Sequence, residues 1–306
     1  MERPWGGRRL EEDLHLPLPD SLKIGELWAL VDRPEAQSIV SHGPFEGKTL
    51  HELWSEERMG VFGRKHLHNP SLAFPLLCKI LDAREMLSLQ VHPQNKRATE
   101  RSYDEPKTEF WYFLKADPEA FCYAGLKKGV TREALENAVK NSSLEDLLHR
   151  IAVKQDDALF IPSGRLHALG QGTLVVEIQQ NSDTTYRVFD WNRRDSEGRT
   201  RRLHLEKALD SIDFADQEPA LHNTNLMITS DYFNSKKWDL TEAMTLETSD
   251  EFAIITCLSG QVECCKEIFS PGNFFLLPAG RGQTPFIPKA DGTTLLCTHL
   301  ASSLFV

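Results

Sequence analysis

The chain has 306 residues, a net charge of −10, 40% hydrophobic residues and 26% charged residues. That length suits two domains, or one enlarged domain, with enough apolar content for real cores. The acidic balance argues against a general nucleic-acid binder and against docking on anionic membranes, yet leaves room for a basic pocket that takes a phosphorylated small molecule. No apolar run of about 18 residues marks a transmembrane helix. Met1-Glu2-Arg3-Pro4-Trp5 opens without the apolar segment of a signal peptide. The six cysteines, Cys78, Cys122, Cys257, Cys264, Cys265 and Cys297, show no C-x-x-C spacing. They read as reduced, mostly buried thiols of a cytoplasmic protein, with adjacent Cys264 and Cys265 pointing to opposite faces of a strand.

In chain order, residues 1–30 read as turns and short strands that pack aromatics such as Trp5 and Trp28 onto a larger body. Residues 47–60 have helical spacing, with Leu50, Leu53 and Trp54 on one face and His51 on the solvated side. Residues 74–82 form an apolar strand with Lys79 set inside it. After a turn at 82–85, the stretch Met86-Leu87-Ser88-Leu89-Gln90-Val91-His92-Pro93 alternates apolar and polar residues. Side chains two apart share a face of a strand, so Ser88, Gln90 and His92 line up on one side. A hairpin between these two strands would bring Lys79 near Ser88 and Gln90.

Residues 94–107 read as a loop, and 107–114 as a strand with Lys107, Glu109, Trp111 and Phe113 on one face. Residues 131–149 carry a small helical insertion capped by Thr131, with leucines at packing spacing. Residues 156–170 read as strand, Pro/Gly turn and strand, with His167 just past the turn. The next strand, 172–180, sets Val175, Glu177 and Gln179 on one face; 181–193 is loop and strand, and 203–213 a short helix. From about 225 onward, short strands separated by Gly and Pro predict an all-β sandwich. His299 there stands alone and reads as structural.

Gln90, His92, Glu109 and His167 make the strongest constellation. Two imidazoles and a carboxylate are common ligands of a catalytic metal, with a position left for water or substrate. They come from three separate strands, as when a β-barrel points its ligands inward.

The motifs Gln90-Val91-His92-Pro93, Lys107-Thr108-Glu109, Ile161-Pro162-Ser163-Gly164-Arg165-Leu166-His167-Ala168-Leu169 and Glu177-Ile178-Gln179-Gln180-Asn181-Ser182-Asp183-Thr184-Thr185-Tyr186-Arg187 together resemble the type I mannose-6-phosphate isomerases, in their short bacterial form. Specific motifs run from Trp5-Gly6-Gly7 to about Arg194, and only the general pattern continues beyond. The resemblance implies a mainly β fold of two cupin-type β-sandwich or jelly-roll domains. Residues 1–215 would be the metal-binding catalytic domain and 216–306 a C-terminal domain without chemistry. It implies Zn²⁺ held by Gln90, His92, Glu109 and His167, and interconversion of mannose 6-phosphate and fructose 6-phosphate through an enediol(ate). Arg187 matches the family's essential arginine, Ser88 a phosphate-contacting serine, Lys79 and Lys107 pocket lysines, and Arg193 a substrate-binding position. Glu177 is the candidate base, with Lys107 or a metal-bound hydroxide as alternatives. The expected partner is a sugar phosphate, with no nucleic acid or membrane, for a monomer or weak dimer.

Three departures stand out, one being that the large helical insertion of the long forms is absent, with 131–149 a modest substitute. Little precedes Trp5 where relatives carry another stretch, and Phe110 stands beside Glu109 where a smaller residue is expected. Two other readings compete: a non-catalytic cupin that senses a sugar phosphate, and an iron-dependent cupin oxygenase. Acid–base residues beside the metal set count against the sensor, and the Gln90 ligand against the oxygenase.

Overall fold

The computed structural model describes residues 1–94, 104–141, 143–195, 197–222 and 227–301. The chain is mainly β and divides into two compact units. The first comprises 1–27 and 79–222, the second 28–78 and 223–306. This division is discontinuous, with residues 28–78 grouped with the C-terminal strands, where a single break near residue 216 is expected from the sequence. Among the described residues, no helix is long and apolar enough to cross a membrane.

In the first unit, one sheet runs Ala158–Ile161, Glu109–Ala116, Thr173–Gln180, Leu76–Ala83, Glu26–Leu30, with residues 76–78 and 28–30 of the last two strands counted in the second unit. The other runs Tyr186–Phe189, Leu89–Val91, His167–Leu169, Phe121–Leu126, Leu148–Ala152. The expected hairpin between 74–82 and 86–93 does not form: the strand holding Lys79 pairs in the first sheet and Leu89–Val91 in the second. Alternation fixes which face of a strand is apolar but not which neighbour it pairs with, and here the turn at 82–85 carries the chain from one sheet to the other.

The parity of the second sheet decides what faces what. Leu89, Val91, Ala168, Tyr186 and Val188 share a core with Leu135, Ala138, Leu144, Ala208 and Leu209. They therefore face outward, under the helices Arg132–Asn141 and Leu205–Ser211. The insertion at 131–149 is thus a helix, begun by Thr131 Oγ1 accepting from the Ala134 amide at 3.2 Å, then a single 3₁₀ turn and the start of a strand. The opposite parity sends Gln90 and His167 inward. There Trp111, Phe113, Leu159, Leu169 and Val175 fill most of the space between the sheets, and the polar residues occupy the rest.

The second unit has a five-stranded and a four-stranded sheet built from 227–300. Its core holds Leu240, Ile255, Cys257, Val262, Leu277, Phe286 and Leu295. The helix Leu50–Glu56 begins in a reciprocal Thr49–Glu52 capping box, and its Trp54 joins an edge-packed cluster with Phe62, Phe74 and Phe252. His51 lies on the exposed side, as expected, and meets Asp32 at 3.1 Å. The expectation for Cys264 and Cys265 changes: Cys264 ends a strand, Cys265 and Lys266 form a two-residue turn with φ of 55° and 70°, and the two sulfurs sit 3.7 Å apart.

Candidate metal centre

Glu109 is the first residue of its strand and fully buried, opposite Ile161 on one side and Gln179 on the other. From the facing sheet, Gln90 pairs directly with His167 on one side and Arg187 on the other. His92 follows one residue after that strand ends, its carbonyl accepting from the Gly164 amide at 3.0 Å. Gly164 holds φ at +91°, and a Cβ there would stand 2.4 Å from Gln94 Nε2. The Pro162-Ser163-Gly164 turn therefore needs glycine to grip the end of His92's strand.

The result is a compact group. One ligand atom each from His92, Glu109 and His167 lies within 4.8 Å of the others, and all three residues are buried. His92 Nε2 is 3.3 Å from Glu109 Oε2, and His167 Nε2 is 3.3 Å from Glu109 Oε1. Both imidazoles are oriented from behind. His92 Nδ1 donates to the Thr184 carbonyl and His167 Nδ1 to the Arg165 carbonyl, each at 2.9 Å. Arg165 is itself fixed by two bonds to Asp216, at 2.7 and 2.6 Å. With Nδ1 protonated, each Nε2 keeps its lone pair and aims it at the group.

Burial together with the Lys107 charge pushes the His92 imidazole down to about 3, and burial lowers His167 as well. Burial alone would raise the Glu109 carboxyl, but the Lys107 ammonium and the two imidazoles hold it well below the ordinary range. His92 Nε2 and Glu109 Oε1 are buried without a hydrogen bond, and Glu109 Oε2 has the Lys107 ammonium 2.9 Å away. Buried acceptors left so cost about 1–3 kcal/mol each, and two lone pairs plus a carboxylate are the donor set a divalent cation takes up. The residues fit a metal ion.

Gln90 joins them, its amide nitrogen 3.3 Å from His167 Nε2 and its oxygen accepting from Ser88 Oγ at 3.2 Å. A half-turn of that amide points the oxygen at the group and still satisfies Ser88, whose hydroxyl can accept.

Around this group lie two buried lysines. Lys107 Nζ is 2.9 Å from Glu109 Oε2 and 3.9 Å from Glu177 Oε1. Burial pulls its ammonium down, but the two carboxylates outweigh that and lift it above its ordinary value. Lys79 Nζ stands 3.7 Å from Glu177, 3.8 Å from Glu26 and 3.9 Å from Asp183. Glu177 takes a 2.9 Å hydrogen bond from Trp111 Nε1. Burial raises its carboxyl, with Glu109 adding to the rise and the lysines opposing it.

Arg187 is half-buried on the same sheet face as Gln90, with one bond to the Arg202 carbonyl at 2.9 Å and its buried Nε unpaired. Arg193, expected at a substrate-binding position, is partly engaged within the protein. Its guanidinium is held by Asp190 at 3.1 Å and by the Met86 carbonyl, which ties 190–193 to the start of the 86–93 segment. Phe110 is fully buried and pairs with Ile178 and Phe160, on the face opposite Glu109, as expected.

Sequence reasoning missed three contributors. Trp111 and Gln179 stood on the right faces but were not assigned contacts, and Glu26 gave no local signal at all. In the second unit, a cavity of about 750 Å³ is lined by 239–241 and 288–294. It has no buried ionisable side chain, and among the described residues no comparable group of three falls in that unit.

Comparison with known proteins agrees with the architecture. The family described as phosphomannose isomerase type I, catalytic domain, matches residues 1–125, and the mannose-6-phosphate isomerase cupin domain matches 222–286. The chain is 37% identical over 265 residues to a mannose-6-phosphate isomerase of Streptococcus mutans, covering 84% of this chain and 82% of that protein. It is 36% identical over 296 residues to mannose-6-phosphate isomerase ManA of Bacillus subtilis, covering 92% and 91%. The crystal structure of a mannose 6-phosphate isomerase from Bacillus subtilis superposes with a TM-score of 0.85 at 32% identity, covering 98% of this chain and 96% of that one.

Proposed function

Because the chain belongs to the type I phosphomannose isomerase family, we propose that its buried His92–Glu109–His167 group, with Gln90, holds a zinc ion at which mannose 6-phosphate and fructose 6-phosphate are interconverted. The protein is an aldose–ketose isomerase of the cupin fold; the metal, the intermediate and the residue roles are our reading. The observation that carries it is the set of buried acceptor atoms on His92, Glu109 and His167, gathered within 4.8 Å of one another between the sheets.

When bound there, zinc would polarise the sugar carbonyl and offset the negative charge that develops on O1 and O2. The remaining work falls to side chains. Isomerisation removes the proton from C2 of the aldose, passes through an enediol(ate), and returns a proton to C1, while a second proton moves from O2 to O1. Glu177 takes the carbon-bound proton: its raised carboxyl is a stronger base than an ordinary glutamate, and Trp111 holds it in place. Lys107, held as an ammonium between Glu109 and Glu177, supplies fixed positive charge beside the oxygens. Arg187 reaches the enediolate or the phosphate with its unused donors, and Ser88 and Lys79 line the phosphate side. Arg193 would need to leave Asp190 to touch substrate, so we read it as a brace. Chemistry resides in the first unit and none in the second, and free thiols at all six cysteines accord with a cytoplasmic enzyme.

The test is zinc content and turnover measured together. Wild type should carry about one zinc per chain and isomerise mannose 6-phosphate, and Glu109→Gln should lose both. Full turnover in a zinc-free Glu109→Gln protein would overturn the reading.

A further inference from the structure

Beyond the groups given roles above, one buried amide lies beside the metal group in the sheet. Gln179 is fully buried, directly opposite Glu109 in the sheet and two residues from Glu177 on the same face. Its side-chain oxygen has no hydrogen bond. Both protons of its nitrogen are engaged, to the Gln180 carbonyl at 2.8 Å and to the Ser182 carbonyl at 2.6 Å. The side chain thus curls over the end of its own strand and ties down the turn that follows.

That turn leads to His92. Ser182 Oγ accepts from the Thr184 amide at 3.2 Å and donates to the Glu105 carbonyl at 3.1 Å. Thr184 Oγ1 in return accepts from the Glu105 amide at 3.2 Å. Gln180 and Thr108 close the other side through two more bonds, of 2.9 and 3.1 Å. The carbonyl fixed by this lattice, that of Thr184, is the one that accepts from His92 Nδ1.

We propose that Gln179 is a positioning residue: it sets the 180–184 turn so that the Thr184 carbonyl fixes the ring orientation and tautomer of His92. This inference rests on the metal reading above. The residue type follows from the contacts. Two backbone carbonyls meet the side chain, so it must end in two N–H donors. A glutamate of the same shape would set a carboxylate against those carbonyls, and on the same face as Glu109 and Glu177. Partners that orient a ligand histidine are worth roughly ten- to a hundred-fold in metal affinity.

The experiment compares wild type, Gln179→Leu and Gln179→Glu after replacing the metal with Co²⁺, whose visible absorption reports ligand geometry. Affinity is read by competition with a chelator, kcat and KM for mannose 6-phosphate are measured separately, and circular dichroism and Tm are recorded on the same samples. Folded variants should bind Co²⁺ about ten- to a hundred-fold more weakly, with an altered absorption band and a fall in kcat larger than any rise in KM. Wild-type affinity and an unchanged band in a folded Gln179→Leu protein would overturn the proposal and leave the zinc reading standing. A wild type that takes up no metal would overturn both. Should the Gln179 variants fail to fold, Ser182→Ala, which removes the hydroxyl bridge from the Thr184 amide to the Glu105 carbonyl, must show the same weakening, and wild-type affinity there would overturn the inference.

Discussion

At Glu177 the roles of base and structural acceptor can be separated. Glu177→Gln keeps the shape and can still accept from Trp111, but cannot take a proton. We expect kcat to fall by roughly 10²–10⁴-fold with KM little changed, and near-normal kcat would remove Glu177 as the base. Arg187→Ala should lose most turnover while keeping its zinc, because no ligand atom comes from Arg187; zinc loss would show a different role. His66, in the second unit, gives a pH signature unconnected to catalysis. Burial drives its imidazole down to about 4, with Lys65 and His299 adding to the fall and Glu251 opposing it. Between about 6.5 and about 4 the unfolded chain binds a proton that the native one refuses, so stability falls as pH drops through that window. Urea midpoints should therefore decline more for wild type than for His66→Phe between about pH 7 and 5, and parallel declines would contradict it. The cluster of His92, Glu109 and His167 was partly legible, because parity puts Gln90 with His92 and Lys107 with Glu109 on shared faces. The supports were not. Nothing local in the sequence reveals that Thr184 meets His92 or that Arg193 is held by Asp190, since those contacts depend on how distant loops return.

Strands and helices divide the work along the same parity. Leu135 is fully buried in the helix Arg132–Asn141, among the outward-facing residues of the second sheet. Leu135→Ala should cost about 2–5 kcal/mol of stability and leave kcat/KM unchanged at temperatures where the variant is folded. A comparable loss of kcat/KM would mean that this helix does more than pack. Gly164→Ala tests the turn that grips His92's strand. Strain at φ +91° and the clash with Gln94 should weaken zinc retention as well as stability. Element positions were mostly readable from alternation: the strand at 293–300 and the helix within 203–213 stand where the pattern puts them. Strand partnership was not. Lys79 reaches Glu177 across neighbouring strands of one sheet, not through a hairpin with Ser88.

For the whole molecule, the decisive arrangement is that two sheets each contribute half of a buried polar group. Glu109, Glu177, Lys79 and Lys107 come from one side, and Gln90, His92, His167 and Arg187 from the other. The second unit repeats the sandwich with apolar residues and hydroxyls inside, and it holds no comparable group among its described residues. A native-only metal at a thousand times its Kd stabilises by about 4 kcal/mol, so stripping it should lower Tm along with activity. The central claim is that the group between the sheets of the first unit is the zinc centre of the isomerase. Its most direct test is conversion of mannose 6-phosphate to fructose 6-phosphate by purified protein before chelation, after chelation and after zinc is returned. We predict turnover that the chelator abolishes and zinc restores. Undiminished turnover by fully stripped, folded protein would contradict it.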